Sequence, residues 1–84
     1  MNKKWFLYII RCSDNSLYTG ITTDIEKRLN EHNNSKKGAA YTKMRRPVFL
    51  CYTEGPMTKS DALKREYFIK KQGKEWKENI IKNG

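Results

Sequence analysis

An almost unbroken apolar run from Trp5 to Cys12 constrains the fold more than any other feature. A half-exposed strand alternates apolar and polar side chains, whereas a strand covered on both faces is apolar throughout. The turn residues Ser13-Asp14-Asn15 follow, and Leu17 to Thr22 has the pattern of a second strand. The sequence therefore predicts a β-hairpin whose first strand is covered on both faces.

The next segments predict a helix and a long connection. Thr23-Asp24-Ile25-Glu26 has the form of a capping box, so a helix is expected from about Asp24 to Asn33, with Ile25 and Leu29 on its buried side. A connection as long as Asn33 to Arg46 is usually functional or partly helical, and Ala39 to Met44 fits a short turn of helix.

The second half predicts one strand and two helices. Pro47 opens a strand from Val48 to Thr53, which Gly55-Pro56 breaks. Thr58 to Asp61 caps a helix that reaches about Gln72, and a C-terminal helix covers about 74–82, with Trp76 and Ile80 on one face. We expect one domain over residues 1–84, with a core of about 5–72. Its class is α/β (α+β), a three-stranded, mainly antiparallel sheet flanked by helices in the order β-β-α-β-α.

Charge gives the first indication of function. The chain has 18 Lys and Arg against nine Asp and Glu, a net charge of +9. A basic surface gains affinity for polyanions by releasing their counterions, although a Lys-rich composition also keeps a small protein soluble. Placement favours nucleic acid, because basic side chains interleaved with an aromatic suit phosphate contacts and base stacking. That cluster comprises Lys36, Lys37, Tyr41, Lys43, Arg45 and Arg46.

Other classes are disfavoured. No apolar run approaches the roughly 20 residues that cross a bilayer, and the N-terminal residues lack the pattern of a signal peptide. Cys12 and Cys51 lie in apolar stretches without metal-ligand spacing, so two buried free thiols are favoured over a disulfide. We expect a cytoplasmic protein with no membrane partner.

Glu66 is the most informative single position. On a helical wheel it falls near the middle of an apolar arc formed by Ala62, Leu63, Tyr67 and Ile69. A carboxylate in such a place needs a paired cation. The cation is either a Lys or Arg in a structural ion pair or a Mg²⁺ ion, for which carboxylate oxygen is a preferred ligand.

Arg28 and His32 lie four residues apart and share one face of the first helix. This arrangement suits the binding of a phosphate, but it is also typical of a solvated helix face.

Tyr8 and Tyr18 share a sheet face if the hairpin loop has three or five residues, with Tyr8 opposite Gly20. A two- or four-residue loop separates them. Glycine inside a strand suits the close approach of a partner or ligand.

Taken together, Tyr8-Ile9-Ile10, Tyr18-Thr19-Gly20, Arg28, His32 and Glu66 resemble the GIY-YIG nuclease domain. The resemblance is to small stand-alone members, similar to the N-terminal endonuclease domain of UvrC, and covers about Trp5 to Gln72. Two departures stand out. The first motif lacks its Gly, and Ile21 follows the second motif where some active relatives have Lys.

The resemblance implies an endonuclease that cuts phosphodiester bonds in DNA with one divalent ion, Mg²⁺ or Mn²⁺, as in DNA repair. Tyr8 and Tyr18 would flank the attacking water, one of them as general base. Arg28 would hold the scissile phosphate with help from His32, and Glu66 would bind the metal. Asn79 is the candidate for the final Asn of some relatives. Specificity is expected from nucleic-acid structure or from a protein partner.

Two alternatives stay open. A non-catalytic nucleic-acid-binding domain would keep the fold and the basic face. An interaction adaptor with no nucleic-acid role is disfavoured by the basic residues around Tyr41.

Overall fold

A computed structural model describes residues 3–84, and its sheet has three antiparallel strands in the order β2-β1-β3. The strands are β1 (Trp5–Arg11), β2 (Leu17–Thr22) and β3 (Phe49–Met57). The helices are α1 (Ile25–Asn34), α2 (Ala40–Lys43), α3 (Lys59–Lys70) and α4 (Lys74–Asn83). The predicted α+β class and three-stranded antiparallel sheet are confirmed, and the sheet places β1 at its centre.

The hairpin register places the two tyrosines on one face. Five residues, 12–16, connect β1 to β2, and Tyr8 pairs with Gly20 across the strands. Tyr18 therefore lies diagonal to Tyr8, because side chains two positions apart on a strand share a face. Asn15 supplies the turn with a positive φ of 71°, a conformation that asparagine tolerates well.

The sheet separates two packed clusters. On one face, Tyr8, Ile10, Cys12 and Val48 are buried beneath α1. On the other, a larger apolar cluster is closed by α3 and α4, with contributions from Leu7, Ile9, Leu17, Ile21, Tyr52, Met57, Ile69, Trp76, Ile80 and Ile81. The alternation along β1 explains the unbroken apolar run, since both of its faces are covered.

The N-terminus of α1 differs from the expectation. The N-cap is Asp24, whose carboxylate accepts a hydrogen bond from the Lys27 backbone N–H at 3.1 Å. Thr22 orders the chain between β2 and α1, because its hydroxyl oxygen accepts a hydrogen bond from the Asp24 N–H at 3.1 Å. The predicted capping box, with Thr23 as its first residue, is therefore wrong by one position.

Strand β3 starts later and ends later than predicted. Val48 does not belong to the strand, because its backbone pairs with the Asn33 side chain instead. The Val48 N–H donates to Oδ1 of Asn33 at 2.7 Å, and the Val48 carbonyl accepts from the Asn33 amide nitrogen at 3.0 Å. The strand continues through Gly55-Pro56 instead of breaking there. The pairing of β3 with β1 changes register between Trp5 and Leu7, which accommodates Gly55 and Pro56 within the strand. Gly55 adopts a φ of +128°, which residues other than glycine rarely reach.

The remaining helices follow the predicted pattern. Thr58 caps α3 by accepting from the Asp61 N–H, and α4 begins after Gly73. The expected buried arc of α3 is only partly correct, because Leu63 and Tyr67 are exposed. Within residues 3–84, no helix has the length and apolar character that crossing a membrane requires. The two cysteines are free thiols, with Cys12 buried and Cys51 partly exposed.

Candidate active site

A buried polar chain links β1, α1 and α2. The Tyr8 hydroxyl lies 2.8 Å from Nε2 of His32, and Nδ1 of the same imidazole lies 2.8 Å from Oγ1 of Thr42. The Thr42 hydroxyl in turn donates to the Ala39 carbonyl at 2.9 Å. His32 and Thr42 have no exposed surface, and Tyr8 is 3% exposed. The help that His32 is expected to give to the phosphate would therefore have to be indirect, because its imidazole is enclosed.

The hydrogen bonds assign the direction of this chain. Because the Thr42 hydrogen is directed to Ala39, the Thr42 oxygen accepts from His32, so Nδ1 carries the imidazole proton. Nε2 is then an acceptor, and the Tyr8 hydroxyl donates to it. The lone pairs of the Tyr8 oxygen are left to accept a further hydrogen bond.

Burial shifts both titrating groups toward their neutral forms. Desolvation raises the pKa of Tyr8 to about 12, against the lowering influence of the nearby Arg28 guanidinium. Desolvation also lowers the pKa of His32 to about 4, and the positive charge of Arg28 acts in the same direction. At neutral pH the pair is therefore a phenol donating to a neutral imidazole.

Gly20 makes room for this arrangement. A Cβ atom at Gly20 would lie 2.6 Å from Cζ of Tyr8 and closer still to its hydroxyl. The close approach expected at this glycine is thus made by Tyr8 itself. Any side chain at position 20 would displace the phenol from His32.

Aromatic rings extend the site toward the surface. The Tyr18 ring packs edge-on against His32, with centroids 5.2 Å apart, and stacks on Tyr41 at 5.9 Å and 28°. The Arg45 guanidinium covers the Tyr41 ring at 3.9 Å and is held by Asp14 at 3.0 Å. Tyr41 and Arg45 therefore border the site rather than standing apart from it.

Arg28 lies at the rim of the same surface. One of its terminal nitrogens donates to Glu31 at 3.1 Å and to the Lys37 carbonyl at 2.8 Å. These bonds hold the guanidinium near the Tyr8 hydroxyl, as its influence on the Tyr8 pKa shows. A fixed, partly exposed guanidinium is suited to a bidentate grip on a phosphate.

Glu66 reaches the site from the opposite side. Its carboxylate is 20% exposed and lies 3.3 Å from the Lys70 ammonium, which is itself 5.8 Å from the centre of the Tyr18 ring. Glu66 also contributes to the raised Tyr8 pKa. The predicted place in the middle of a buried arc is wrong, because the buried residues Ala62 and Ile69 lie to one side of Glu66 and the exposed Leu63 to the other.

The donors at Glu66 fit a divalent ion. Within residues 3–84 no three His, Cys, Asp or Glu side chains cluster as a closed metal site. Mg²⁺, however, binds through one or two carboxylates and completes its shell with water and substrate phosphate. Glu66 offers one such carboxylate, and Lys70 shows that a cation is accommodated beside it.

The basic segment divides into two groups. Lys36, Lys37 and Lys43 are exposed, as expected of phosphate-binding residues. The Arg46 guanidinium instead donates to the carbonyls of Glu31, His32 and Ser35 at the end of α1. Its observed contacts are those of a helix cap, which departs from the expectation of a nucleic-acid contact.

Asn79 is not brought to the site. It is exposed on α4, which packs on the opposite face of the sheet through Trp76, Ile80 and Ile81. Two residues that sequence reasoning did not single out do contribute. Thr42 fixes the imidazole, and Lys70 joins Glu66 to Tyr18. Thr42 lies within the Ala39 to Met44 segment, for which the sequence predicts a turn of helix, whereas the position of Lys70 depends on how α3 packs.

Comparisons with known proteins identify the family of this chain. A family model described as the GIY-YIG catalytic domain matches residues 4–79. A UPF0213 protein of Staphylococcus saprophyticus is 54% identical over 81 residues, which cover 96% of this chain and 98% of that protein. A UPF0213 protein of Desulfotalea psychrophila is 53% identical over 78 residues, covering 93% of this chain and 71% of the other.

Two solution structures share the fold. A protein of E. faecalis aligns with a TM-score of 0.66 at 42% identity, over 99% of this chain and 90% of that one. A UPF0213 protein of Bacillus halodurans aligns with a TM-score of 0.60 at 39% identity, over 98% and 84%. These names state no activity. The chain belongs to the GIY-YIG nuclease family, alongside the small UPF0213 proteins.

Proposed function

We propose that this protein is an endonuclease that uses one divalent ion, Mg²⁺ or Mn²⁺, to hydrolyse phosphodiester bonds in DNA. The observation that carries the proposal is the Tyr8 hydroxyl donating to a fully buried, neutral His32. The guanidinium of Arg28 and the carboxylate of Glu66 both act on the same hydroxyl. A proton acceptor, an anion-binding group and a carboxylate therefore all lie near enough to Tyr8 to influence its pKa.

The attacking water is oriented by Tyr8. Its oxygen accepts a hydrogen bond from the water, because its own hydrogen is directed to Nε2 of His32. As the water attacks phosphorus, its proton passes to the Tyr8 oxygen while the phenol proton passes to Nε2. General-base assistance of this kind is worth about 10²- to 10⁴-fold in rate.

Substrate binding favours this proton transfer. In the free protein Arg28 contributes to the low pKa of His32. A phosphate bound to Arg28 offsets that positive charge, so the imidazole accepts a proton more readily when substrate is present. By holding the scissile phosphate, Arg28 would couple substrate binding to the basicity of His32.

Glu66 would hold the divalent ion, which would offset the negative charge that develops on the phosphate oxygens. The pair with Lys70 is partly exposed, and such a pair contributes well under 1 kcal/mol to stability. Lys70 is therefore readily released when a metal binds. Exposed lysines of the 36–43 segment add sequence-independent affinity, so we propose that selectivity comes from nucleic-acid structure or from a protein partner.

A nicking assay tests the proposal. Plasmid, single-stranded and branched DNA are incubated with wild-type protein in Mg²⁺, Mn²⁺ or EDTA, beside Glu66→Gln and the matched control Glu75→Gln on α4. We expect cleavage by the wild type and by Glu75→Gln with metal, no cleavage in EDTA, and a loss of at least about 100-fold in Glu66→Gln.

The same samples address the non-catalytic alternative. Glu66→Gln should fold, melt near the wild type and bind DNA in EDTA as well as or better than the wild type, because a negative charge near the phosphates is removed. Wild-type protein that binds every substrate and cuts none of them with either metal would identify a binding domain. Equal cutting by Glu66→Gln would exclude Glu66 as the metal ligand.

A further inference from the structure

One side of α3 next to Glu66 carries exposed side chains of an unusual kind for a helix surface. Leu63 is 46% exposed and Tyr67 is 65% exposed. At 100° per residue, both fall on the same side of the helix as Glu66 and Lys70. Aromatic side chains are enriched in interfaces, where a large ring supplies contact area at one position.

The charges around Tyr67 are positive. The Lys71 ammonium lies 4.1 Å from the centre of the Tyr67 ring. Lys59 and Lys70, at the two ends of α3 and about three turns apart, fall on the same side of the helix. Of the two acidic residues of α3, Asp61 falls on the other side of the wheel, which leaves Glu66 at the catalytic surface. The face combines an exposed ring with ammonium groups, and this chemistry is complementary to a base and its phosphates.

Lys70 connects this side of α3 to the candidate site around Tyr8 and Tyr18. Its ammonium lies 3.3 Å from the Glu66 carboxylate and 5.8 Å from the centre of the Tyr18 ring. Beyond Tyr18, on the far side of the site, lies another exposed aromatic, Tyr41, with Arg45 over its ring. Aromatic platforms with basic neighbours therefore flank Tyr18 and Glu66 on two sides.

We propose that the Tyr67 face, defined as Leu63, Tyr67, Lys70 and Lys71, binds an unpaired DNA strand beside the scissile phosphate. A base stacks on Tyr67, and Lys70 and Lys71 contact the adjoining phosphates. In a duplex both sides of each base are covered by neighbouring bases, so this face selects single-stranded DNA or the single-stranded arm of a branched substrate. The position relative to the scissile bond rests on the proposed function, whereas the stacking itself does not.

Fluorescence anisotropy in EDTA tests the stacking without cleavage. The probes are a labelled oligothymidine of 12 nucleotides, an abasic strand of equal length and a duplex. The variants are Tyr67→Ala, Tyr67→Phe and Phe49→Ala, the last removing an aromatic side chain of similar exposure (60%) on β3. Melting curves show whether each variant is folded.

We expect Tyr67→Ala to bind oligothymidine about 5- to 100-fold more weakly, because stacking contributes on that scale per base. Tyr67→Phe and Phe49→Ala should bind oligothymidine like the wild type. The affinity of Tyr67→Ala for the abasic strand and for the duplex should be close to that of the wild type. Unchanged binding by Tyr67→Ala would overturn the proposal, as would an equal loss on the abasic strand. A wild-type dimer in sedimentation that Tyr67→Ala dissociates would also overturn it, by assigning the face to a second copy.

The two proposals fail separately. Tyr67-dependent binding by a protein that never cuts would refute the nuclease and retain the stacking face. Normal cutting and normal single-strand binding by Tyr67→Ala would refute the face and retain the nuclease.

Discussion

On the α1 face of the sheet the centre of the core is polar, whereas the α3–α4 face is closed by aliphatic and aromatic side chains. Three buried side chains of this 84-residue chain form a hydrogen-bonded series instead of an apolar contact: Tyr8, His32 and Thr42. Leu7, Ile9 and Ile69 fill most of the other face, where Thr19, which pairs with Ile9, adds a buried hydroxyl without a hydrogen-bond partner among the described residues. In a domain this small few side chains are left over from packing, so the buried polar chain is the candidate for function, whereas the apolar cluster beneath α3 and α4 contributes mainly to stability.

Removing one hydroxyl from each face should give the largest contrast. Tyr8→Phe removes the donor to His32 and should slow cleavage by about 10²- to 10⁴-fold. Tyr52→Phe removes a hydroxyl that donates to Glu54 on the other face and should leave the rate near wild type. Single-turnover rates at saturating enzyme measure both, and an equal loss in the two variants would show that the faces do not differ in function.

A core truncation on the apolar face should affect stability alone. Ile9 is fully buried, so Ile9→Ala should lower the free energy of unfolding by about 2–5 kcal/mol. Cleavage per folded molecule should stay near wild type. The control is Leu50→Ala, which truncates a side chain that is 40% exposed and should change stability much less. Urea denaturation measures the stability of both variants. An Ile9→Ala variant that keeps its stability but loses its cleavage rate would contradict the assignment of this face to stability.

The polar face should make stability depend on pH. The folded pKa of His32 is lowered to about 4, below its ordinary value of 6.5, so the unfolded chain binds a proton that the folded chain does not. Stability is therefore fully present above pH 6.5 and falls as the pH falls toward 4, by about 1.4 kcal/mol per unit at most.

His32 is the only histidine, so the slope between pH 6.5 and 5 belongs to it. The carboxylates of Asp14, Glu54 and Glu78 have lowered pKa values and lose their contributions at lower pH. Urea denaturation at half-unit steps of pH measures the slope. Constant stability from pH 6.5 to pH 5 would show that the imidazole is not buried in its neutral form.

The smallest effect concerns the lysines that border the polar face. If Lys36, Lys37 and Lys43 contact phosphates, replacing all three with Ala should flatten the dependence of log K on log salt by up to about 0.9 per contact. Replacing Lys74, Lys77 and Lys82 of α4 changes the net charge equally and should flatten it less. Equal slopes for the two triple variants would indicate binding by net charge alone.

How far the sequence predicts this molecule differs between the two faces. The apolar run of β1 and the Thr58 cap of α3 are local patterns, and they predicted the strand and the helix correctly. The shared face of Tyr8 and Tyr18 depends on whether the hairpin loop has an odd number of residues, which the turn residues alone left open.

The errors arise where distant segments meet. His32 is buried because α2 brings Thr42 onto α1, and Arg46 caps α1 because its loop folds back over the helix end. Neither contact has a local pattern. The continuation of β3 through Gly55-Pro56 likewise depends on pairing with β1, which overrides the preference of these residues for a turn.

The state of the His32 imidazole tests the account most directly. Nitrogen-15 NMR of the free protein, titrated from pH 8 to pH 4, reports which nitrogen carries the proton and where the ring titrates. We expect the proton on Nδ1, bonded to Thr42, and a pKa of about 4. In Tyr8→Phe, the Nε2 resonance should shift because its donor is lost. A proton on Nε2, or a pKa near 6.5 in the wild type, would contradict the direction of the hydrogen bond from Tyr8 and the proton transfer built on it.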